Sequence, residues 1–437
     1  MGIQTLPTPT TTAVLRDLRA AVAAPVLAVG DAGYDEQRAT WAGAIDPRPA
    51  AVVLAATAAD IRTAVLVART HDLPFAVQST GHGTYLPCDG GVLVKTAGMD
   101  AVRIDPAART ATVGPGVRWS AVIAAAEPYG LAPVSGTSSS VGVAGYTLGG
   151  GMGWLSRRFG FAGDNVVRVE LVTADGRLVT ASADEYPDLF WAVRGAGANF
   201  GVVTSLEFRL HPVSRVYAGA AYYPLERAAD VLDHYRGWAA TQPAELSTSL
   251  VVMRQPPVDV PGPVLAIRGA YVGSEAAGRG ALAPLRRVAG RALADTFVEG
   301  PYADVAKIGG TPSRQFELFT SPPDVLAELP QHSAVEAVEV RYWGGAMAQP
   351  AAGAGPVGHR EVPFSATVHG PVSALAPVAG AATGGSFLNF LHEMSRTADA
   401  YTPADYRRLR ALKAVHDPDN VFGRIHNIPP AGQATRL

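Results

Sequence analysis

Runs of apolar residues mark out regular elements in the first hundred residues. Residues 50–55, "AAVVLA", and 74–78, "PFAVQ", are short and almost wholly apolar, which is typical of buried strands. Between them, "TAADIRTAVLVARTH" has apolar residues at helical spacing behind a Thr–Asp cap. We therefore predict a β-α-β unit that ends in the loop "STGHG" at residues 79–83.

The pattern changes further along the chain. Short alternating strands are predicted in "VVRVELVTADGRLVTA", with a hairpin turn at Asp175–Gly176. From residue 213 to about residue 384, alternating runs such as "STSLVVMRQ" and "AVEAVEVRYWG" are interleaved with helical runs such as "LERAADVLDHYRGWAA". These runs predict an antiparallel sheet with helices against one face, and the last 50 residues return to helix and capped turn. The predicted fold class is α+β, with boundaries near residues 212 and 385.

Composition narrows the function. The chain has 437 residues, 48 % of them apolar and 17 % charged, with a formal net charge of −2. We expect a globular protein with no nucleic-acid partner and no membrane partner, because basic residues form no stripe and no apolar run is long enough to span a bilayer. Cys88 is the single cysteine and is predicted to be inert. The first thirty residues predict a tail and an amphipathic helix in place of a secretion signal, so we expect a cytoplasmic protein.

Two glycine-rich loops carry the strongest chemical signal. The first places His82 between Gly81 and Gly83, and the second, "VGVAGYTLGGGMG", has six glycines within twelve residues. Glycine lets backbone N–H groups approach phosphate oxygens closely, so the pair of loops favours a cofactor that carries a pyrophosphate. Tight turns and close strand packing are the alternative explanation. The ten histidines are dispersed, and no metal site is predicted.

Several segments in a fixed order resemble the FAD-linked oxidases of the vanillyl-alcohol oxidase type, in the berberine-bridge-enzyme-like branch. They include "VQSTGHG", "VGVAGYTLGGGMGWLSRRFG", "PDLFWAVRGAGANFGVVTSLEFRLHPV" and "LKAVHDPDNVFGRIHNIPP". The resemblance implies an FAD-binding domain of two α/β subdomains, made of residues 1–212 and 385–437, and a substrate domain of residues 213–384. It also implies that His82 bonds to the 8α-methyl carbon of the flavin. The cofactor-binding residues that it implies are Val77, Ser79, Thr80, Gly81, His82, Gly83, Thr137, Ser138, Val141, Gly142, Gly145, Gly149, Gly150, Gly153, Asp164, Asn165, Gly201, Val203, Asn389 and Asn427.

The sequence departs from the family pattern at two positions. Many relatives attach flavin a second time through a cysteine, where this chain has Ser138, a much weaker nucleophile than a thiolate. We therefore expect a single covalent bond. Many relatives also have a tyrosine as or beside the catalytic base, where this chain has Phe387, which cannot accept a proton.

Other residues are therefore candidates for catalysis: Asn389, Glu339, His392 and Tyr146. Strand alternation places Glu339, Arg341 and Trp343 on one face, directed either into the cavity or to solvent. The expected reaction is hydride transfer from a small organic molecule, such as an alcohol, sugar, amine or natural-product intermediate, to flavin N5.

Three alternatives for the fate of the electrons stay open. Oxygen is the favoured acceptor, because Val141 matches the small residue that admits oxygen in relatives. A dehydrogenase that uses another acceptor, and a protein that retains flavin without turnover, are the other two. The low charge of residues 213–384 favours a neutral or apolar substrate, and no oligomeric state is predicted.

Overall fold

The computed structural model describes residues 9–41, 43, 45–328 and 334–433. Within these ranges there are ten α-helices: α1 Pro9–Ala21, α2 Tyr34–Arg38, α3 Ala58–Thr70, α4 Trp119–Ala126, α5 Val143–Leu148, α6 Ser156–Phe159, α7 Pro187–Val193, α8 Ala228–Trp238, α9 Glu275–Ala289 and α10 Pro403–His416. None of them combines the length and the hydropathy that crossing a membrane requires.

The same ranges contain nineteen strands, arranged in four sheets. They are β1 Val26–Leu27, β2 Ala51–Leu54, β3 Phe75–Gln78, β4 Val92–Lys95, β5 Val102–Asp105, β6 Thr110–Val113, β7 Leu131–Ala132, β8 Val166–Val172, β9 Leu178–Ser182, β10 Val202–Arg209, β11 His211–Pro212, β12 Arg215–Pro224, β13 Leu246–Met253, β14 Val264–Tyr271, β15 Ala294–Asp295, β16 Val298–Pro301, β17 Gln315–Phe319, β18 Ala337–Tyr342 and β19 Phe364–His369. The α+β fold class is confirmed.

The first sheet has the order β1-β2-β4-β3 and contains the predicted β-α-β unit. Strands β2 and β3 both pair with β4 in parallel. Helix α3 joins β2 to β3 and begins at a capping box, in which Asp60 N–H donates to Thr57 Oγ1 (3.2 Å) and Thr57 N–H donates to Asp60 Oδ2 (3.0 Å). This packing directs the end of β3 into the loop that holds His82.

The second sheet is antiparallel, with the order β5-β6-β10-β8-β9. The predicted hairpin joins β8 to β9, where Gly176 has a φ of +79° and Thr173 N–H donates to the Arg177 carbonyl oxygen (2.9 Å). The core of this region also contains residues of α4, α7 and α10, together with Val143 and Leu148 of the second glycine-rich loop.

The third sheet has eight strands in antiparallel pairs, six of them in the order β12-β14-β13-β18-β19-β17, with β15 and β16 pairing at the β12 edge. Helices α8 and α9 pack on one face through a large apolar cluster, as the alternating pattern predicts. The opposite face meets the second glycine-rich loop region: the Arg341 guanidinium lies 4.6 Å from the centroid of the Trp154 ring. A site between these two regions is therefore framed by a sheet on one side and by glycine-rich backbone on the other.

A buried ion pair fixes the end of α10 against the rest of the chain. Lys413 and Asp417 are both fully buried, and Lys413 Nζ donates to Asp417 Oδ2 (2.7 Å) and to the Asn199 carbonyl oxygen (2.6 Å). The Asp417 carboxylate also accepts hydrogen bonds from the N–H groups of Val421 (2.8 Å) and Phe422 (3.0 Å). The network holds the C-terminal segment in place.

We expect Lys413→Met to lower the free energy of unfolding by about 3–5 kcal/mol, because the Asp417 carboxylate would remain buried without its counter-ion. Lys307→Met is the matched control, since the Lys307 side chain is 76 % exposed and its pair with Asp304 contributes little. Urea unfolding followed by circular dichroism measures both changes. Equal unfolding midpoints for the two variants would contradict this role of Lys413.

Candidate FAD and substrate site

The two glycine-rich loops touch each other. A Cβ added at Gly142 would lie 3.2 Å from Ser79 Oγ and 3.4 Å from Thr80 Oγ1, so the backbone of the second loop runs directly against the first. The Ser79 hydroxyl is buried and has no hydrogen-bond partner among the described residues. Helix α5 begins immediately after Gly142. Backbone and an unpartnered hydroxyl therefore converge at one place, as expected if the loops share a ligand.

His82 is half-buried beside this junction. Its ring centroid lies 4.2 Å from that of Trp41, at an interplanar angle of 40°. Burial, with a smaller contribution from Arg118, lowers the pKa of His82 below the ordinary histidine value, so the imidazole is neutral at pH 7. A neutral imidazole has a free nitrogen lone pair and is a competent nucleophile. A Cβ added at the neighbouring Gly83 would meet no atom within 4 Å, which leaves open space beside the ring.

The glycines fall into two groups according to what surrounds them. Gly149, Gly150 and Gly153 are in close contact with protein atoms: an added Cβ would lie 2.6 Å from Asn389 Nδ2, 2.9 Å from the Phe387 ring and 1.8 Å from the Ser135 carbonyl oxygen, respectively. Gly145 resembles Gly83, since an added Cβ there would meet nothing within 4 Å. Close packing thus accounts for the first group, and Gly83 and Gly145 are left facing space that a ligand could fill.

Asn389 fastens the second loop to the C-terminal segment. Its Oδ1 accepts a hydrogen bond from Gly151 N–H (2.8 Å), and its Nδ2 donates to the Tyr146 carbonyl oxygen (3.1 Å). Both halves of the amide are therefore occupied by loop backbone. This geometry makes Asn389 a positioning residue for the loop.

The remaining predicted cofactor residues differ in whether their polar groups already have protein partners. Asp164 is held by two hydrogen bonds from Arg360 (2.9 and 2.7 Å), and Asn165 Nδ2 donates to the carbonyl oxygens of Phe159 (3.0 Å) and Phe161 (2.9 Å), so these side chains already have protein partners. Asn427 Oδ1 is buried without a partner among the described residues.

Val203 is buried in strand β10, Val77 lies in β3, and Gly201 precedes β10 with Leu171 packed against it. Thr137 is half-buried, and its Oγ1 would lie 2.7 Å from a Cβ added at Gly310.

The sheet face opposite the loops is polar and buried. Glu339 and Arg341 are 6 % and 9 % exposed, and Trp343 is fully buried, so the solvent-directed alternative for this face is wrong. Arg341 Nη2 donates to Glu339 Oε1 (2.7 Å). Burial alone would raise the pKa of Glu339, but Arg341 and Arg268 outweigh it and lower the pKa to about 2. Glu339 is therefore ionised, and its carboxylate is a weak proton acceptor.

The other two candidates differ in their protonation. Burial raises the pKa of Tyr146 well above its ordinary value, and the hydroxyl is buried without a partner, so Tyr146 is a hydrogen-bond donor at neutral pH. The ring centroid of His392 lies 4.8 Å from that of Tyr85, three residues after His82. Burial, followed by Arg314, lowers the pKa of His392, so its imidazole is neutral at pH 7.

The residues fit an FAD molecule. Buried polar atoms that lack partners among the described residues occur on both loops and on the C-terminal segment, at Ser79 Oγ, Thr147 Oγ1 and Asn427 Oδ1. Open space adjoins Gly83 and Gly145, and His82 is neutral. The hydroxyls could donate to phosphate oxygens and ring acceptors of FAD, and Asn427 Oδ1 could accept a hydrogen bond from the N–H of the flavin ring.

Comparison with known proteins agrees with this fit. Residues 49–182 match the family described as FAD binding domain, and residues 386–429 match the family described as berberine and berberine like. The chain is 30 % identical over 450 residues to (R)-6-hydroxynicotine oxidase of Paenarthrobacter nicotinovorans, which spans 92 % of this chain and 96 % of that protein. The chain belongs to the berberine-bridge-enzyme-like FAD-linked oxidases.

Solved structures of such oxidases have the same fold. The crystal structure of 6-hydroxy-D-nicotine oxidase from Arthrobacter nicotinovorans superposes with a TM-score of 0.80 at 26 % identity, over 97 % of this chain and 99 % of that one. The structure of Physcomitrella patens BBE-like 1 superposes with a TM-score of 0.83 at 23 % identity, over 96 % of this chain and 100 % of that one. The predictions of family, of FAD as cofactor and of an FAD-dependent oxidase acting on a small molecule are confirmed.

The structure shows what surrounds Ser138 and Phe387, the two residues that depart from the family pattern. Ser138 is exposed, and its Oγ lies 2.9 Å from Ser140 Oγ, a hydroxyl that is itself no base. Val141 follows in the same loop and is partly buried. Phe387 is buried among aromatic rings, with centroids 5.4 Å from Phe161 and 5.5 Å from Trp343. Its position in this oxidase is that of a packing residue.

Sequence reasoning missed several residues of the site. Trp41 packs beside His82 with the two rings tilted, and an isolated exposed tryptophan gave no signal. Arg268 sits within the apolar run "VLAIRGAY" of strand β14, where a lone charge on a buried strand face was a detectable anomaly. Trp154 lies beneath Arg341 and directly follows Gly153, the last glycine of the second loop. The glycine pattern of that loop does not distinguish it as a site residue.

Proposed function

We propose that this oxidase holds FAD at the junction of the two glycine-rich loops, binds a small organic substrate against the inner face of the third sheet, and passes the electrons to oxygen. The observation that carries the proposal is the meeting of the loops beside a neutral His82, with open space at Gly83 and Gly145. When bound, FAD supplies the two-electron acceptor for a hydride from a substrate carbon. The protein supplies position, exclusion of water and a route for the proton.

The proposed cofactor contacts follow from the fit. Ser79, Thr80 and the N–H groups around Gly142 would face the pyrophosphate, while Asn389 holds the second loop in shape through Gly151. We propose one covalent bond, through His82, because the exposed Ser138 hydroxyl lacks an activating partner among the described residues. We also propose a cytoplasmic location, since Cys88 has no second cysteine in the chain with which to form a disulfide.

A panel of small molecules tests the function. It would contain 6-hydroxynicotine, a chitooligosaccharide and xylobiose, taken from the names of the relatives and structural neighbours, together with simple alcohols and amines. We expect at least one compound to bleach the flavin without oxygen, and air to restore the colour with stoichiometric hydrogen peroxide. Bleaching without peroxide, restored instead by a quinone, would identify a dehydrogenase. No bleaching with any member would exclude the substrate classes of this panel, and a flavin that carboxylic acids also fail to reduce would identify a flavin-binding protein without turnover.

His392 is the proposed acceptor of the substrate proton. A base must be unprotonated to act, so the lowered pKa of His392 predicts that flavin reduction is fast at neutral pH and slows as the pH falls through that lowered value. We expect His392→Ala to slow anaerobic flavin reduction by about 10²–10⁴-fold and to abolish this acid limb.

Two further variants sharpen this test. Glu339→Gln should keep the acid limb, because the Glu339 carboxylate is ionised throughout the range. His416→Ala is the matched control, since His416 lies against Phe200 near the end of α10. A full reduction rate in His392→Ala would remove His392 from the mechanism, and loss of the limb in Glu339→Gln would transfer the role to Glu339.

A further inference from the structure

A row of polar residues crosses the inner face of the third sheet. In the strand register Arg268 lies opposite Ser249, Ser249 opposite Arg341, and Arg341 opposite Ser365. Residues paired in this way share one face, so the row runs across β14, β13, β18 and β19. All four residues are buried. The row faces the glycine-rich loop region, because Arg341 lies over the Trp154 ring.

The charges in this row do not balance. Arg341 Nη2 lies 2.7 Å from Glu339 Oε1, and Arg268 Nη1 lies 3.9 Å from Glu339 Oε2, so two guanidinium groups share one carboxylate. Among the described residues no second carboxylate pairs with either arginine. One positive charge is therefore in excess among buried side chains. An uncompensated charge is costly in such surroundings unless a ligand of opposite charge completes the site.

Unpartnered hydrogen-bond donors occur in the same place. Arg268 Nε is buried and has no partner among the described residues, and the same holds for Ser247 Oγ, which follows the same face of β13. On the opposing side, Trp154 Nε1 and the Tyr146 hydroxyl are buried and unpartnered as well. Each of these groups can donate a hydrogen bond, and the two nitrogens can only donate. A ligand that fits them must bring acceptor oxygens.

An excess positive charge together with unpartnered hydrogen-bond donors favours an anionic ligand that has acceptor oxygens. A carboxylate provides one negative charge and two acceptor oxygens in the plane that a guanidinium fork recognises. The wall beside Arg341 is aromatic: Trp343 continues the same strand face, and Phe387 packs against Trp343 at 5.5 Å. We propose that the substrate is a small carboxylic acid with an aromatic or apolar body, whose carboxylate is bound by Arg341 and Arg268. This inference rests on the proposed function and departs from the neutral substrate that the low charge of residues 213–384 suggested.

The test uses the FAD-loaded protein and two probes of one shape, benzoate and its neutral analogue benzamide. Binding is followed by the perturbation of the visible flavin absorption, which needs no turnover. We expect benzoate to bind about tenfold or more tightly than benzamide, as one charged hydrogen bond would give. Arg341→Met and Arg268→Met should each weaken benzoate binding by about 10–100-fold and change benzamide binding little. Arg291→Met, at an exposed position of the same domain, is the control and should change neither.

A variant with the opposite effect keeps the inference testable if an arginine variant folds poorly. Glu339→Gln removes the carboxylate that competes for both guanidinium groups, so benzoate should bind several-fold more tightly. Equal affinity of wild type for the two probes, or unchanged benzoate binding in yellow, folded arginine variants, would overturn the inference. A protein that retains no FAD, or whose flavin no compound reduces, contradicts the proposed function instead.

Discussion

His82→Ala should move the flavin from the acid-precipitated pellet to the supernatant. In the wild type we expect the yellow colour to stay in the pellet, because a bond between the His82 imidazole and the flavin survives denaturation. The physical basis is the neutral imidazole, whose pKa burial lowers, next to open space at Gly83. The flavin content of each fraction, read from its visible absorption, measures the effect, which should be complete.

Two further variants define the linkage. His71→Ala is the matched control: His71 lies at the end of α3, where its Nε2 contacts Asp17 Oδ2 at 2.8 Å, and the flavin should stay in the pellet. In Ser138→Cys, His82→Ala, a thiolate would replace the serine hydroxyl, and partial retention would show that this loop can reach the flavin. Release of intact FAD from the denatured wild type would mean that His82 is only a turn residue.

The sequence predicted the elements that local patterning controls. The β-α-β unit, the Asp175–Gly176 hairpin and the antiparallel sheet with helices on one face are all present, because apolar periodicity and turn chemistry act over a few residues. The same periodicity placed Glu339 and Arg341 on one face, although it could not tell a buried face from a solvated one. That distinction depends on which surface covers the sheet, and only tertiary packing decides it.

Other features of the site come from distant segments and could not be predicted locally. Asn389 accepts a hydrogen bond from Gly151, which lies 238 positions away in the sequence. The sequence around either residue therefore does not show that Asn389 holds the loop in place. The glycines of the second loop look equivalent in sequence, but Gly153 is packed against Ser135 and Gly145 faces open space. Composition was also a poor guide to charge at the site, since it does not reveal that residues 213–384 bury Arg268 and Arg341 on one sheet face.

Alanine substitutions at Gly153 and at Gly145 should have opposite effects on stability, because Gly153 is closely packed and Gly145 faces open space. We expect Gly153→Ala to lower the free energy of unfolding by about 3 kcal/mol or more, because the new Cβ would lie 1.8 Å from the Ser135 carbonyl oxygen. That atom belongs to the backbone, so no side-chain rotation relieves the overlap. Thermal unfolding followed by circular dichroism should show a fall of several degrees, or the variant should fail to fold.

Gly145→Ala should behave in the opposite way. Gly145 lies within helix α5, and an added Cβ would meet nothing within 4 Å, so alanine should leave the stability of the apoprotein unchanged or raise it by about 0.5–1 kcal/mol. The FAD content of the purified variant should nevertheless fall, because the methyl group would occupy space that we assign to the cofactor. The ratio of flavin to protein absorption, read beside the unfolding curve, separates the two effects. Full FAD content in a stable Gly145→Ala protein would show that the cofactor does not approach this turn of α5, and the open space there would need another occupant.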